Sequence, residues 1–193
     1  MSKRFGLFKP CSCCQLTGRR LLKYRLPVGL ILLALSSNVS CESGSESAVK
    51  VAFIYNFFKF IQWPNSANTQ EGYTLCIVNA AELGGAVSAL NGKTPNDKPL
   101  TLLTEVSISQ MKTCNVLFVA DNGRNNQDLS ALQNLPVVTV GDGDNFAARG
   151  GMIGLIKTDN HLGFEINLDV ANQANVKISA QLLKLAKHIY STK

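Results

Sequence analysis

The most regular pattern in the chain is a run of apolar residues at helical spacing that begins near residue 48. Between Ala48 and Trp63 the apolar positions recur at intervals of three and four, and Pro64 ends the pattern. The stripe consists of Val49, Ala52, Phe53, Phe57, Phe60 and Ile61. The spacing therefore predicts a helix over 48–63, with this stripe packed against a sheet.

Beyond this helix, short apolar runs alternate with helical segments. Strands are predicted over 73–79, 99–105, 114–120 and 136–140, and helical segments over 81–90, 106–112, 126–133 and 145–149. Alternation of this kind is typical of a mainly parallel sheet that is covered by helices on both faces. We therefore expect a three-layer α/β domain.

The last part of the chain departs from the alternating pattern. Met152–Lys157 and Leu162–Leu168 read as two strands joined by a short polar turn, so they predict an antiparallel hairpin at the edge of the sheet. A final helix is expected over 179–189, with Ser179 as its N-cap.

Aromatic residues are concentrated in the first helix. Six of the 14 aromatic residues lie between positions 53 and 63. A helix needs one apolar face to dock on a sheet, and this helix has nearly two. Complete burial and an interaction surface both explain the excess. We predict that its second side forms a dimer or partner surface made by Val51, Ile54, Tyr55 and Phe58.

The first forty residues have the three parts of a signal peptide. A basic stretch ends at Arg25, a ten-residue apolar stretch follows, and small polar residues occupy 36–40. The apolar stretch is about half of the ~20 residues that a spanning helix needs, so an exported protein is favoured over an anchored one. Cleavage near 37–41 would leave a polar lead over 41–47 and a single domain over 48–193.

Cys41 raises the alternative that the segment is a lipoprotein signal. A bacterial lipoprotein is cleaved just before a cysteine, and Val39 and Ser40 fit that signal. Asn38 stands where an aliphatic residue is usual, so plain secretion is favoured over lipidation at Cys41. The predicted location is therefore the periplasm.

The charge of the whole chain misrepresents the part that folds. The formal net charge is +6, but seven of the 19 Lys and Arg residues precede residue 41, where no Asp or Glu occurs. Residues 42–193 carry 12 basic and 13 acidic groups, a net charge of −1. The domain therefore lacks the basic surface that nucleic-acid binding requires.

Six cysteines fall into two groups. Cys11, Cys13 and Cys14 lie in the segment to be removed, and Cys41 lies at its end. The domain keeps Cys76 and Cys114, each in a segment that reads as a buried strand. In an exported domain two cysteines suggest one disulfide, and they could meet if their strands are neighbours. A catalytic thiol is the alternative, although no histidine partner is evident.

No constellation of residues points to catalysis. There is no phosphate-binding loop, no nucleophile elbow and no calcium loop. The two histidines, His161 and His188, read as solvated residues, and Glu165 alternates with apolar neighbours along a strand. We therefore predict no enzyme activity, no catalytic residues, no metal site and no cofactor.

Three stretches carry a resemblance to a known family. They are Ala48–Pro64, Phe146–Ile153 and Phe164–Ala186. Together they resemble the YfiR/HmsC-like family of periplasmic proteins over residues 48–190. The resemblance implies a three-layer α/β domain that is often dimeric and has no catalytic activity. Cys76 and Cys114 fall where the family places a structural disulfide, whereas a second disulfide of some members has no counterpart here.

The resemblance also implies a function. The best-understood members of the family bind the periplasmic sensor domain of an inner-membrane diguanylate cyclase and hold the enzyme inactive. Envelope stress, or a lipoprotein with an OmpA-like domain, relieves the repression, and cyclic-di-GMP output and biofilm formation respond. The alternative is a small solute-binding domain that serves a transporter or a sensor. It predicts a deep polar pocket around Asn79, Asp121 and Asp142, at the carboxyl ends of the strands.

Overall fold

The fold is known from a computed structural model that describes residues 46–192, apart from 66, 68, 124–128 and 159–160. The predicted signal peptide, Cys41 and most of the polar lead lie outside the described residues, as does part of the helical segment predicted over 126–133. All described residues belong to one compact unit, Cys41–Lys193.

Nine strands and four α-helices follow one another along the described chain. In order they are α1 (Glu46–Phe60), β1 (Ile61–Gln62), β2 (Tyr73–Val78), β3 (Leu100–Thr104), α2 (Ile108–Met111), β4 (Val116–Val119), β5 (Val138–Gly141), β6 (Ile153–Thr158), β7 (His161–Asn167), α3 (Leu168–Gln173), β8 (Lys177–Ile178), α4 (Ala180–Leu185) and β9 (His188–Tyr190). Short 3-10 helices occupy Ala80–Leu90, Pro95–Asp97 and Ser130–Leu132.

Seven of the strands form one sheet in the order β3-β2-β4-β5-β6-β7-β9. All neighbours in it are parallel except β6 and β7, which form the predicted antiparallel hairpin. The predicted mixed, mainly parallel sheet is therefore confirmed. The hairpin is not at the edge, however, because β9 adds a further parallel strand beside β7.

The position of β9 corrects the prediction of a final helix over 179–189. The helix starts as expected, since the hydroxyl of Ser179 accepts a hydrogen bond from the backbone N–H of Leu182 at 3.2 Å. It ends at Leu185, and Ala186 has extended backbone angles. His188–Tyr190 then pair with Glu165–Asn167, because pairing with the sheet satisfies their backbone groups as a helix would.

Alternate residues along the central strands fill two cores on opposite faces of the sheet. Leu75 and Phe118 belong to the larger core, whereas Cys76, Leu117 and Val119 belong to the smaller one. Residues of α1, α3 and α4 pack in the larger core, and residues of α2 and the 3-10 helix Ser130–Leu132 pack in the smaller one. Strands buried on both faces explain why they read as uninterrupted apolar runs.

Helix α1 buries residues of both apolar stripes. From the predicted stripe, Phe57 and Ile61 are buried and Phe53 and Phe60 pack against the larger core. Val51, Ile54 and Phe58 are at most 3% exposed, so the surface predicted on them is wrong. Val49 is 42% exposed and Ala52 is exposed, although both were expected to pack on the sheet. Residues 51, 54 and 58 are also spaced by three and four, so periodicity alone could not choose between two apolar stripes.

Aromatic contacts explain how α1 buries so much apolar surface. The ring of Phe57 lies edge-to-face on Phe164 of β7, with centroids 5.4 Å apart. The ring of Phe58 lies 5.2 Å from Tyr73 of β2 and 5.8 Å from Trp63. The helix thus packs along one face of the sheet from β2 to β7, while the 3-10 helix Ala80–Leu90 and α4 pack against it. Tyr55 stays half-buried, with the ammonium of Lys59 over its ring.

Cys76 and Cys114 form a disulfide, with Cα atoms 5.9 Å apart. Cys76 lies in β2, and Cys114 precedes β4, the parallel neighbour of β2. Both residues are buried in the smaller core. The bridge closes a separation of 38 residues, which the chain-entropy model values at about 4 kcal/mol.

Two further elements differ from the sequence prediction. Residues 145–149 form turns instead of a helix, and Leu168–Gln173, which follows the predicted second hairpin strand, is helical. The amide oxygen of Asn167 caps this helix by accepting a hydrogen bond from the N–H of Val170 at 3.1 Å.

Candidate functional site

A broad cleft opens beyond the carboxyl ends of β4 and β5. Its volume is about 470 Å³. The lining comes from the first turns of α1, the residues that follow β4 and β5, and the β6–β7 hairpin: Glu46, Lys50, Asp121, Asp142, Gly143, Asp144, Asn145, Leu155, Ile156, Lys157, Leu162 and Glu165. Five of these side chains are acidic and two are basic, so the lining is rich in negative charge.

The carboxylate of Asp142 connects three parts of the cleft lining. One carboxylate oxygen accepts a hydrogen bond from the backbone N–H of Asp121 at 2.6 Å, and the other lies 2.6 Å from the ammonium of Lys50. The Asp142 side chain is only 8% exposed. A carboxylate so far from water is stable only when it is paired, and both of its oxygens are. The contact therefore ties the end of β4, the end of β5 and α1 together.

Glu46 extends this network from α1 to β6. Its carboxylate lies 2.8 Å from the ammonium of Lys50 and 2.5 Å from that of Lys157 on β6. Hydrogen bonds from Lys157 and Lys50 hold the pKa of Glu46 below its usual value. Burial acts to lower the pKa of Lys50, but hydrogen bonds to Asp142 and Glu46 outweigh it, so the pKa is raised. The first turn of α1 is thus tied to the hairpin by ion pairs.

The chain turns away from the sheet after β5, where the ring of Phe146 packs on two glycines. A Cβ built on Gly141 would lie 2.4 Å from the ring of Phe146, and one built on Gly151 would lie 2.1 Å from it. Neither position therefore accepts a side chain while the ring stays in place. Phe146 folds back over this part of the sheet, and the Asp142–Asn145 segment turns aside as one wall of the cleft.

The pocket predicted around Asn79, Asp121 and Asp142 is only partly present. Asp121 and Asp142 meet, because the backbone N–H of Asp121 donates a hydrogen bond to the Asp142 carboxylate. Asn79 has left-handed backbone angles, and its amide donates a hydrogen bond to the carbonyl of Ala120 at 2.9 Å. This contact lies between the ends of β2 and β4, where the strand order reverses and where doubly wound sheets usually bind ligands.

Sequence reasoning missed the basic half of the cleft. Glu46 and Lys50 are four residues apart, which is ion-pair spacing on a helix, but the predicted helix began at residue 48. Lys157 belongs to the predicted hairpin, and nothing local indicates that it contacts α1. Glu165 lies on the polar side of β7 as expected and accepts a hydrogen bond from the Tyr190 hydroxyl at 3.1 Å. Partial burial and this contact raise the pKa of Tyr190.

The histidines lie away from this cleft's lining. His161 and His188 are both exposed, and His188 packs edge-to-face on Tyr190 with ring centroids 4.3 Å apart. Among the described residues, no three His, Cys, Asp or Glu side chains are grouped so that they could hold a metal ion. No helix in this part of the chain combines the length and the apolar character needed to cross a membrane.

A family model described as YfiR/HmsC-like matches residues 47–187. The chain belongs to this family. The YfiR/HmsC-like family is one of periplasmic regulatory proteins rather than enzymes. No curated protein matches the chain in sequence.

Two solved structures are similar to this YfiR/HmsC-like chain. One is a conserved domain protein from Vibrio cholerae O1 biovar eltor, with 12% identity, a TM-score of 0.46 and coverage of 75% of this chain and 60% of that one. The other is an ABC domain in complex with L-Trp from Streptococcus pneumonia, with 10% identity, a TM-score of 0.44 and coverage of 74% and 60%. The chain thus spans about 60% of the length of each.

The three stretches that carry the family resemblance form connected parts of the fold. Ala48–Pro64 holds most of α1 and all of β1, and Phe146–Ile153 holds the ring and one of the glycines that bend the chain after β5. Phe164–Ala186 runs from β7 to α4, and within it β8 pairs with β1. The first and third stretches therefore meet through the antiparallel pairing of β1 and β8.

Proposed function

We propose that this protein represses a membrane diguanylate cyclase by binding the periplasmic sensor domain of that enzyme. Repression lowers cyclic-di-GMP and thereby biofilm formation. The protein acts from the periplasm after removal of residues 1–40, and it acts as a homodimer. A lipoprotein with an OmpA-like domain is the partner that relieves the repression.

The observation that carries this proposal is the family match over 47–187. A buried disulfide agrees with it, because such bonds persist in oxidising compartments such as the periplasm. The cleft offers ion-paired carboxylates and lysines whose charges are already engaged with one another. Such an arrangement suits recognition of another molecule better than proton transfer.

Calorimetry with the purified protein and the isolated sensor domain of each membrane cyclase of the same cell tests the proposal. We expect one sensor domain to bind with a micromolar or lower Kd, about −8 kcal/mol or stronger. Cyclase activity in membrane vesicles should fall when the protein is added on the periplasmic side. Absence of binding to every such domain would contradict the proposal.

A solute-binding domain that serves a transporter or sensor is the second candidate. The cleft of about 470 Å³ beside Asp121 and Asp142 favours it, since many small-molecule sites have this size. It requires that a small polar solute raise the melting temperature of the protein, with an effect that is lost in Asp121→Ala. The control is Glu71→Ala, at an exposed residue that precedes β2 at the other end of the sheet.

A further inference from the structure

The β6–β7 hairpin extends beyond the end of β5 and leaves part of β6 with a strand on one side only. β7 pairs with all six residues of β6, whereas β5 pairs only with Ile153 and Gly154 and then ends. Within the part of the chain that the structure describes, Leu155–Thr158 have no strand on the β5 side. Four residues of strand span about 13 Å.

This stretch of β6 presents backbone groups to the cleft. In an antiparallel pair, every second residue turns its N–H and C=O towards the partner strand and the residues between turn theirs away. Half of the residues in Leu155–Thr158 therefore direct these groups to the side that β5 has vacated. That side is the cleft, because Leu155, Ile156 and Lys157 all line it.

The usual protection of such an edge is weakened here. An edge strand is commonly guarded by a lysine, whose charge opposes pairing with a second chain. Lys157 occupies the middle of this edge, but its ammonium is held by Glu46 on α1 at 2.5 Å. The cation is thus directed to α1 and already neutralised by an ion pair.

The walls of the cleft indicate which kind of strand would fit. Leu155 and Leu162 are apolar side chains in the lining that share one face of the hairpin, because Leu162 pairs with Lys157, two residues after Leu155. They suit the apolar residues of an alternating segment. The acidic residues of the lining outnumber the basic ones by five to two, and the excess remains when Arg149, near Gly143, is counted. Charge complementarity therefore favours basic residues between the apolar ones.

We propose that a partner protein adds an extended segment with alternating apolar and basic residues to the free edge of β6, as a strand that continues the line of β5. Main-chain hydrogen bonds to Leu155–Thr158 supply affinity. The acidic residues of the cleft lining, called here the acidic wall, favour a segment with basic side chains: Glu46, Asp121, Asp142, Asp144 and Glu165. This inference rests on the proposed function, in which the segment belongs to the cyclase sensor domain.

Amide hydrogen exchange of the purified protein, with and without the sensor domain, reads the backbone contact directly. Binding should slow exchange in Leu155–Thr158 and leave the outer strand β3, at the opposite edge of the sheet, unchanged. The amides of this stretch that point away from β7 should exchange quickly in the free protein and slowly in the complex. Slow exchange at those amides already in the free protein would mean that this chain covers its own edge, and would overturn the inference.

A pair of charge reversals tests the acidic wall. Asp144→Lys, at an exposed position in the lining, should weaken binding of the sensor domain about tenfold and flatten its dependence on salt. Glu71→Lys makes the same change at the other end of the sheet and should leave the affinity unchanged. Equal affinity in both variants and in the original protein would leave the proposed function standing and remove this site.

Two synthetic peptides test the edge independently of the cyclase. An eight-residue peptide of alternating Lys and Val should slow exchange in Leu155–Thr158 at millimolar concentration, and one of alternating Glu and Val should not. The effect of the first peptide should be lost in Asp144→Lys. If neither peptide protects this edge, or if both do, the inference fails even where the sensor domain binds.

Discussion

Phe58 and Val49 lie on the same helix, but Phe58 is buried in the core and Val49 is exposed at the surface. Single substitutions at these two positions therefore distinguish a residue that stabilises the core from one at the surface. Phe58 is fully buried between Tyr73 and Trp63, whereas Val49 is 42% exposed. Buried aromatic side chains contribute several kcal/mol each, while exposed apolar ones contribute little. The aromatic content of α1 therefore mainly stabilises the fold.

Phe58→Asp should destabilise the domain by more than about 3 kcal/mol, because it buries an unpaired carboxylate and empties the space of a ring. Val49→Asp should change stability by less than about 1 kcal/mol, since the position is exposed and lies in the first turn of α1, where negative charge is favourable. Urea denaturation followed by circular dichroism gives both values. A stable Phe58→Asp variant would contradict the core assignment.

Gly151 provides a second test at the residue scale. Gly151→Ala should cost about 1–3 kcal/mol, because the new Cβ would lie 2.1 Å from the ring of Phe146. The cost should shrink when Phe146→Ala is already present, as expected for residues that share one contact. Gly143→Ala is the control, since its nearest neighbour atoms would lie 3.6 Å away. Thermal unfolding of the original protein, Gly151→Ala, Phe146→Ala, the double variant and Gly143→Ala measures these costs, and an equal cost of Gly151→Ala with and without the ring would contradict the contact.

At the scale of elements, the disulfide and the ion-pair network connect different parts of the fold. The disulfide joins β2 to the start of β4, whereas the ion pairs of Glu46 and Lys50 join α1 to β5 and β6. The first tie stabilises the centre of the sheet, and the second holds one wall of the cleft.

Removing the disulfide should lower the free energy of unfolding by about 2–5 kcal/mol. The double variant Cys76→Ala/Cys114→Ala and the original protein are compared in urea, each with and without reductant. Reductant should destabilise the original protein and leave the double variant unchanged. A peptide map without reduction should show the two cysteines linked, and free thiols at both positions would refute the bridge.

The ionic tie should weaken in acid. Because the pKa of Glu46 is lower in the folded protein than its usual 4.5, its ion pairs stabilise the fold above about pH 4.5 and lose this effect as the pH falls through the lowered value. Glu46→Gln should therefore be less stable than the original protein at pH 7, by under about 1 kcal/mol for so exposed a pair. The difference should shrink as the pH falls below about 4.5, which urea titrations at pH 7 and at a series of lower pH values measure.

The sequence allowed the order of strands and helices to be predicted where one pattern dominated. The central strands β2, β4 and β5 are long enough, apolar enough and bounded clearly enough to be recognised locally. The orientation of α1 and the strand β9 could not be predicted, because two apolar stripes compete on α1 and because β9 depends on a partner strand far away in the chain. The place of Lys157 in the candidate site could not be predicted for the same reason, since its ion pair with Glu46 is a tertiary contact.

At the scale of the whole molecule, the balance of charge sets the class of partner. Residues 42–193 carry a net charge of −1, although the full chain is formally at +6. The protein without residues 1–41 should therefore not bind duplex DNA at physiological salt. Fluorescence anisotropy with a labelled duplex measures this, and tight binding that weakens steeply with salt would contradict the prediction.

The level of cyclic-di-GMP in living cells tests the proposed repression most directly. Deleting the gene for this chain should raise cyclic-di-GMP, and restoring the gene should lower it again. The rise should disappear when one membrane cyclase with a periplasmic sensor domain is also deleted. An unchanged level in the single deletion, or a rise that persists when every such cyclase is removed, would contradict the account.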